Sequence, residues 1–124
     1  MSPKEKRIIM LVDDEIELGQ ACAKALEVDY TVVVMDKGST AWSALNSGLR
    51  PHLLITDLHI FGVNGFRLIA NVRDASHLIG LPIVLMSGDA QIHDIAASLG
   101  IPHVLPKPCD TNSLRKLVAS IIGP

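Results

Sequence analysis

Residues 8–15 read Ile8-Ile9-Met10-Leu11-Val12-Asp13-Asp14-Glu15, an unbroken apolar run that ends abruptly in three carboxylates. Five apolar residues are too few for a helix, and they do not alternate with polar ones. Such a run fits a strand buried on both faces, the condition of strands in a parallel sheet covered by helices. The three acids then stand at the carboxyl end of that strand. Short runs of the same kind follow at Thr31–Met35, Leu53–Ile55, Ile83–Met86 and Val104–Leu105.

Helical stretches fill the intervals. The first is predicted over about 15–28, with Leu18, Cys22, Ala25 and Leu26 on one stripe. The second covers about 39–47 and stops at Gly48, a residue suited to a left-handed cap, with Pro51 soon after. The third covers about 66–74, and the fourth about 90–99 with Gly100 as its stop. The last begins behind the capping residue Asp110, where Leu114, Leu117, Val118 and Ile121 recur at helical spacing. Strand and helix alternate five times, which makes the chain an α/β protein with a doubly wound five-stranded parallel sheet. Its 124 residues form one domain, 1–124, without an output domain.

Thirteen acidic against eleven basic side chains, a net charge of −2, give no general drive toward nucleic acid or anionic lipid. Four aromatic residues are too few for stacking platforms on single strands. Neither nucleic acid nor membrane is an expected partner. The two cysteines, Cys22 and Cys109, stand near opposite ends of the chain with no CxxC and no metal-ligand spacing, which favours a reduced, cytoplasmic protein. They read as small hydrophobes, Cys109 lying near the residues that matter most.

In an open parallel sheet, ligands gather beyond the carboxyl ends of the strands. Those positions hold Asp13, Asp14 and Glu15 after the first strand and Asp57 at the end of the third. Ser87, Gly88 and Asp89 follow the fourth strand, and Lys107 and Pro108 follow the fifth. Acids at a helix start are favoured by the dipole alone, by a few tenths to about 1 kcal/mol. Several carboxylates on one rim also repel unless a cation joins them, and an all-oxygen set suits Mg²⁺ or Mn²⁺. With an ammonium and a hydroxyl opposite, the rim holds the parts that stabilise a transferring phosphoryl group. A carboxylate among them can be its nucleophile.

These residues, in this order, resemble the receiver domain of two-component response regulators, the chemotaxis-regulator-like family. The resemblance rests on Asp13-Asp14, Asp57, Ser87 and Lys107-Pro108 and spans essentially the whole chain. It implies a flavodoxin-like sheet in the order 2-1-3-4-5. It further implies a switch in which Asp57 accepts a phosphoryl group from a phosphohistidine on a sensor histidine kinase or histidine phosphotransfer protein. Asp14 would ligate Mg²⁺ directly and Asp13 mainly through water, with Asp57 and the backbone carbonyl of His59 completing the set. Lys107 would pair with a phosphoryl oxygen, and its bond to Pro108 would be cis. Ser87 would be the switch hydroxyl, its approach left open by Gly88, while His59 and Asp89 flank the phosphoryl group and tune its hydrolysis. The chain would not be an enzyme beyond its own phosphorylation and slow autodephosphorylation. Its output would be a changed surface for a protein target, as a monomer or a phosphorylation-dependent dimer.

Three positions depart from the family pattern. Val104 stands where Tyr or Phe is usual, Pro106 removes a backbone donor from the last strand, and Phe61 replaces a common proline, although Gly65 is kept. The alternative is therefore a pseudo-receiver, an interaction module that works without phosphate. A phosphatase of the haloacid-dehalogenase type is disfavoured, because it needs a second Asp where His59 stands.

Overall fold

The computed structural model describes residues 6–59 and 64–123. Phe61 falls outside them. Five strands, β1 (Ile8–Val12), β2 (Thr31–Met35), β3 (Leu53–Asp57), β4 (Ile83–Ser87) and β5 (His103–Pro106), form one parallel sheet in the order β2-β1-β3-β4-β5. The helices are α1 (Ile16–Leu26), α2 (Gly38–Asn46), α3 (Gly65–Asp74), α4 (Ile92–Ser98) and α5 (Thr111–Ile122), with a 3₁₀ turn at Ser76–Leu78. This is the doubly wound architecture predicted from the apolar runs.

Period-two geometry sorts each strand between two cores. Met10, Val12, Leu54 and Leu85 face the layer containing Ala41, Leu45, Leu68, Val72 and Ala96, from α2, α3 and α4. Ile9, Leu11, Leu53, Ile55, Val84 and Met86 face Cys22, Leu26, Leu114 and Val118, from α1 and α5. The central strands β3 and β4 are buried throughout. Truncating a leucine in such a position costs roughly 2–5 kcal/mol.

The differences from the sequence reading lie at the periphery. β2 is an edge strand, not one buried on both faces, and Val34 is 37% exposed. Its apolar run resembles those of the central strands, and only the strand order sets it at the border. β5 begins at His103 and ends at Pro106, polar and donor-poor positions outside its apolar pair. α4 starts at Ile92 because Asp89 Oδ1 accepts the Gln91 N–H at 2.8 Å, forming a turn before the helix. α5 is capped as its sequence suggests, with Asp110 Oδ1 accepting the Ser113 N–H at 2.6 Å. Arg73, in the last turn of α3, donates to the carbonyls of Leu99 and Gly100 at the end of α4.

Candidate functional site

The carboxyl ends of β1, β3, β4 and β5 deliver the rim residues to one place. Asp13, just beyond β1, is fully buried, while the next residue, Asp14, is exposed. Asp57 ends β3, and carboxylate oxygens of Asp13, Asp14 and Asp57 lie within 4.8 Å of one another. Lys107, just after β5, reaches into this cluster: its Nζ is 2.6 Å from Asp57 Oδ2, 3.0 Å from Asp13 Oδ2 and 3.8 Å from Glu15 Oε1. The Lys107–Pro108 bond is cis.

Backbone donors fix the carboxylates. The Glu15 N–H donates to Asp13 Oδ1 at 2.9 Å, and the His59 N–H donates to Asp57 Oδ1 at 3.2 Å. Burial pushes the Asp13 carboxyl above its ordinary range, against the pull of the Glu15 amide and Lys107. Burial by itself would depress the Lys107 ammonium, but hydrogen bonds and charge from Asp57 and Asp13 outweigh it and hold its pKa above the usual value. Lys107 is therefore a fixed cation, and the buried carboxylate beside it is short of positive charge.

Ser87 closes β4 and is buried. Its Oγ accepts the Asp89 N–H at 3.0 Å, and its carbonyl accepts the Lys107 N–H at 2.8 Å, joining the β4 and β5 ends. A Cβ on Gly88 would meet only Lys107 Cβ, at 3.8 Å, so space remains beside Ser87. His59 Nε2 and Asp89 Oδ2 stand 4.0 Å apart. Asp57, His59, Ser87, Gly88, Asp89 and Lys107 line a cleft of about 550 Å³.

A divalent cation fits this donor set. Among the described residues, Asp13 Oδ2 has Lys107 Nζ as its one neighbour of opposite charge, at 3.0 Å and off the hydrogen-bond axis, so this buried carboxylate oxygen keeps lone pairs to offer a cation. Three clustered carboxylates supply only oxygen, the preference of Mg²⁺ and Mn²⁺.

Three further residues shape the site: Glu15, already among the strand-end acids, and Thr56 and Gly65, whose contacts depend on the tertiary fold. Glu15 adds a third acid near Lys107. Thr56, fully buried, donates its hydroxyl to the Asp57 carbonyl at 2.9 Å. Gly65 begins α3 so close to the end of β3 that an added Cβ would lie 2.5 Å from the Asp57 carbonyl oxygen and 2.8 Å from Leu58. In the sequence the third helix is predicted from about residue 66, and Gly65 stands only as a residue kept from the family pattern; this contact is a tertiary fact.

Comparison with known proteins agrees with this geometry. The family model described as the response regulator receiver domain matches residues 9–119. A two-component response regulator of Oryza sativa subsp. indica is 28% identical over 97% of this chain and 94% of its own length. A 3′,5′-cyclic-nucleotide phosphodiesterase of Dictyostelium discoideum is 26% identical over 98% of this chain, which spans only 16% of that protein. A protein described as a response regulator from Chloroflexus aurantiacus superposes with a TM-score of 0.86 at 25% identity, covering 95% of this chain and 98% of the other. With the sheet order, the acidic cluster at the strand ends and a family match over nearly its full length, the chain belongs to the receiver domains of two-component response regulators.

Proposed function

We propose that this receiver is a phosphorylation-activated switch whose phosphoacceptor is Asp57. The observation that carries this reading is the 2.6 Å contact of Lys107 Nζ with Asp57 Oδ2 inside a three-carboxylate cluster. Asp13, Asp14, Asp57 and the backbone carbonyl of His59 would hold Mg²⁺ or Mn²⁺, which neutralises charge on the phosphoryl oxygens when bound.

The donor is a phosphohistidine of a sensor histidine kinase or a histidine phosphotransfer protein. An Asp57 carboxylate oxygen attacks phosphorus, the P–N bond breaks, and its electron pair returns to the imidazole nitrogen, which takes up a proton. Lys107, already beside Asp57, pairs with the charge that develops on the transferred group. The Ser87 hydroxyl turns to donate to a phosphoryl oxygen, gives up the Asp89 amide and shifts the loop before α4. Gly88 leaves that path open, and His59 and Asp89 partly close the mouth to water. Hydrolysis of the acyl phosphate then restores Asp57 slowly. The reaction is stoichiometric self-modification, and its product is an altered protein-binding surface in a cytoplasmic signalling relay. Because Val104 replaces the usual aromatic, the surface near α1 or the loop from Leu58 to Gly65 is the one read.

Intact-mass spectrometry after incubation with acetyl phosphate and Mg²⁺ tests the chemistry. One added phosphoryl group, absent in Asp57→Asn and in a metal-free control, is the expected result. No adduct would leave the pseudo-receiver as the reading. Dephosphorylation that is no faster in His59→Ala and Asp89→Ala would remove those two residues from the scheme.

A further inference from the structure

Cys22 sits on the buried face of α1, and Cys109 in the loop between β5 and α5. The fold packs both into the apolar cluster that α1 and α5 form against the sheet. Cys22 is 6% exposed, while Cys109 is half-buried and lines the cleft next to Lys107 and Pro108. Both thiols pack in that one cluster, close enough for Cys109 to help raise the Cys22 thiol. Both are free thiols, and they are the only cysteines in the chain. The proposed phosphoryl transfer uses neither.

We propose that Cys22 and Cys109 form a redox modification site, a dithiol that low-molecular-weight disulfides convert to an intramolecular bond between α1 and the loop that follows Lys107. Position assigns the roles. Cys109 reaches the cleft and meets the oxidant, and Cys22, buried behind it, resolves the intermediate. Cys109 loses its proton and attacks one sulfur of the small disulfide, whose S–S bond breaks to release one thiol. Cys22 then loses its proton and attacks Cys109 Sγ, releasing the second small thiol. Two protein thiols are oxidised, one disulfide is reduced to two thiols, and the two protons end on those products.

Burial raises both thiols, Cys22 to about 11, with the neighbouring Cys109 adding to the shift. The exchange is therefore slow at neutral pH and quickens as pH rises, because the thiolate is the nucleophile. The bond would cross-link the β5–α5 loop, two residues after Lys107, to α1.

Oxidised glutathione is the probe, at pH 8.5 on the whole chain, with thiol titration, intact mass and a peptide map as readouts. The expected wild-type product is a monomer lacking both thiols, two hydrogen atoms lighter, with residues 22 and 109 linked and restored by dithiothreitol. Cys22→Ser, which keeps the side-chain volume, should hold one glutathione on Cys109, and Cys109→Ser should stay largely unmodified. Glutathione persisting on wild type, disulfide-linked dimers, or thiols that survive prolonged oxidation would each overturn the proposal.

Discussion

The rim above the strand ends and the face made by α4 and β5 belong to the same sheet but are held in different ways. At the rim, Asp13, Asp57 and Ser87 are buried, and Lys107 is shared among three acids. Every group there has partners on at least one other element, so the geometry is set from several directions. On the α4–β5 face the contacts are apolar, with Ile92, Ala96 and Ile101 in the core and Ile95 and Val104 packed against it. Ala96, Ala97, Gly100 and Val104 border a shallow groove, and Val104 is only half-buried. α4 has seven residues and no side-chain cap at its start. The rim is preorganised at the cost of burying charge, whereas the face is cheap to assemble and has room to shift.

Lys107 is where the two regions differ most. Lys107→Met leaves Asp13 and Asp57 without their cation; in metal-free buffer it should lower stability by about 3 kcal/mol and, with metal, slow phosphoryl acceptance on the order of 100-fold. Urea melts and acetyl phosphate kinetics measure both, and unchanged kinetics would remove Lys107 from the chemistry. Gly65→Ala comes next. Its Cβ collides with backbone, not with a flexible side chain, so a loss of about 2 kcal/mol and slower labelling of Asp57 are expected. A melt within experimental error of wild type would show that the start of α3 can slide without disturbing the rim.

Asp13→Asn works in the opposite direction. The folded pKa of Asp13 is raised, so its charged form opposes folding; the penalty is absent below the ordinary Asp range and grows as pH rises through the raised value. In metal-free buffer at pH 7 the variant should be more stable than wild type by about 1 kcal/mol, the gain fading in acid. Added Mg²⁺ should narrow the gap by stabilising wild type. A variant less stable than wild type at pH 7 would mean that the Lys107 contact outweighs burial. Val104→Tyr is the mildest change. On the roomy face it should move stability by less than about 1 kcal/mol and leave phosphoryl incorporation at Asp57 unaltered. A marked change in incorporation would mean that face and rim are more tightly coupled than their packing suggests.

The parts legible in the sequence are those whose signal is local. A residue after an apolar run is a strand-end residue wherever the strand lies, so the sequence alone sets Asp13, Asp57, Ser87 and Lys107 on one rim. Whether a strand is central or at an edge depends on its neighbours, which is why the exposure of Val34 was invisible. The Gly65 approach joins residues from opposite sides of a loop. The meeting of Cys22 and Cys109 depends on how α1 packs beside α5, and no spacing rule encodes that.

The guanidinium of Arg73 gives α4 a mechanical character. By holding the carbonyls of Leu99 and Gly100, it pins one end of a helix roughly 10 Å long, while the other end hangs from the Ser87-Gly88-Asp89 turn. A short rod fixed at one end is a lever. In the proposed switch, a displacement at the Ser87 hydroxyl would reach α4 through that turn, and the hold at Gly100 would convert it into a tilt of the exposed flank that carries His93 and Ala97.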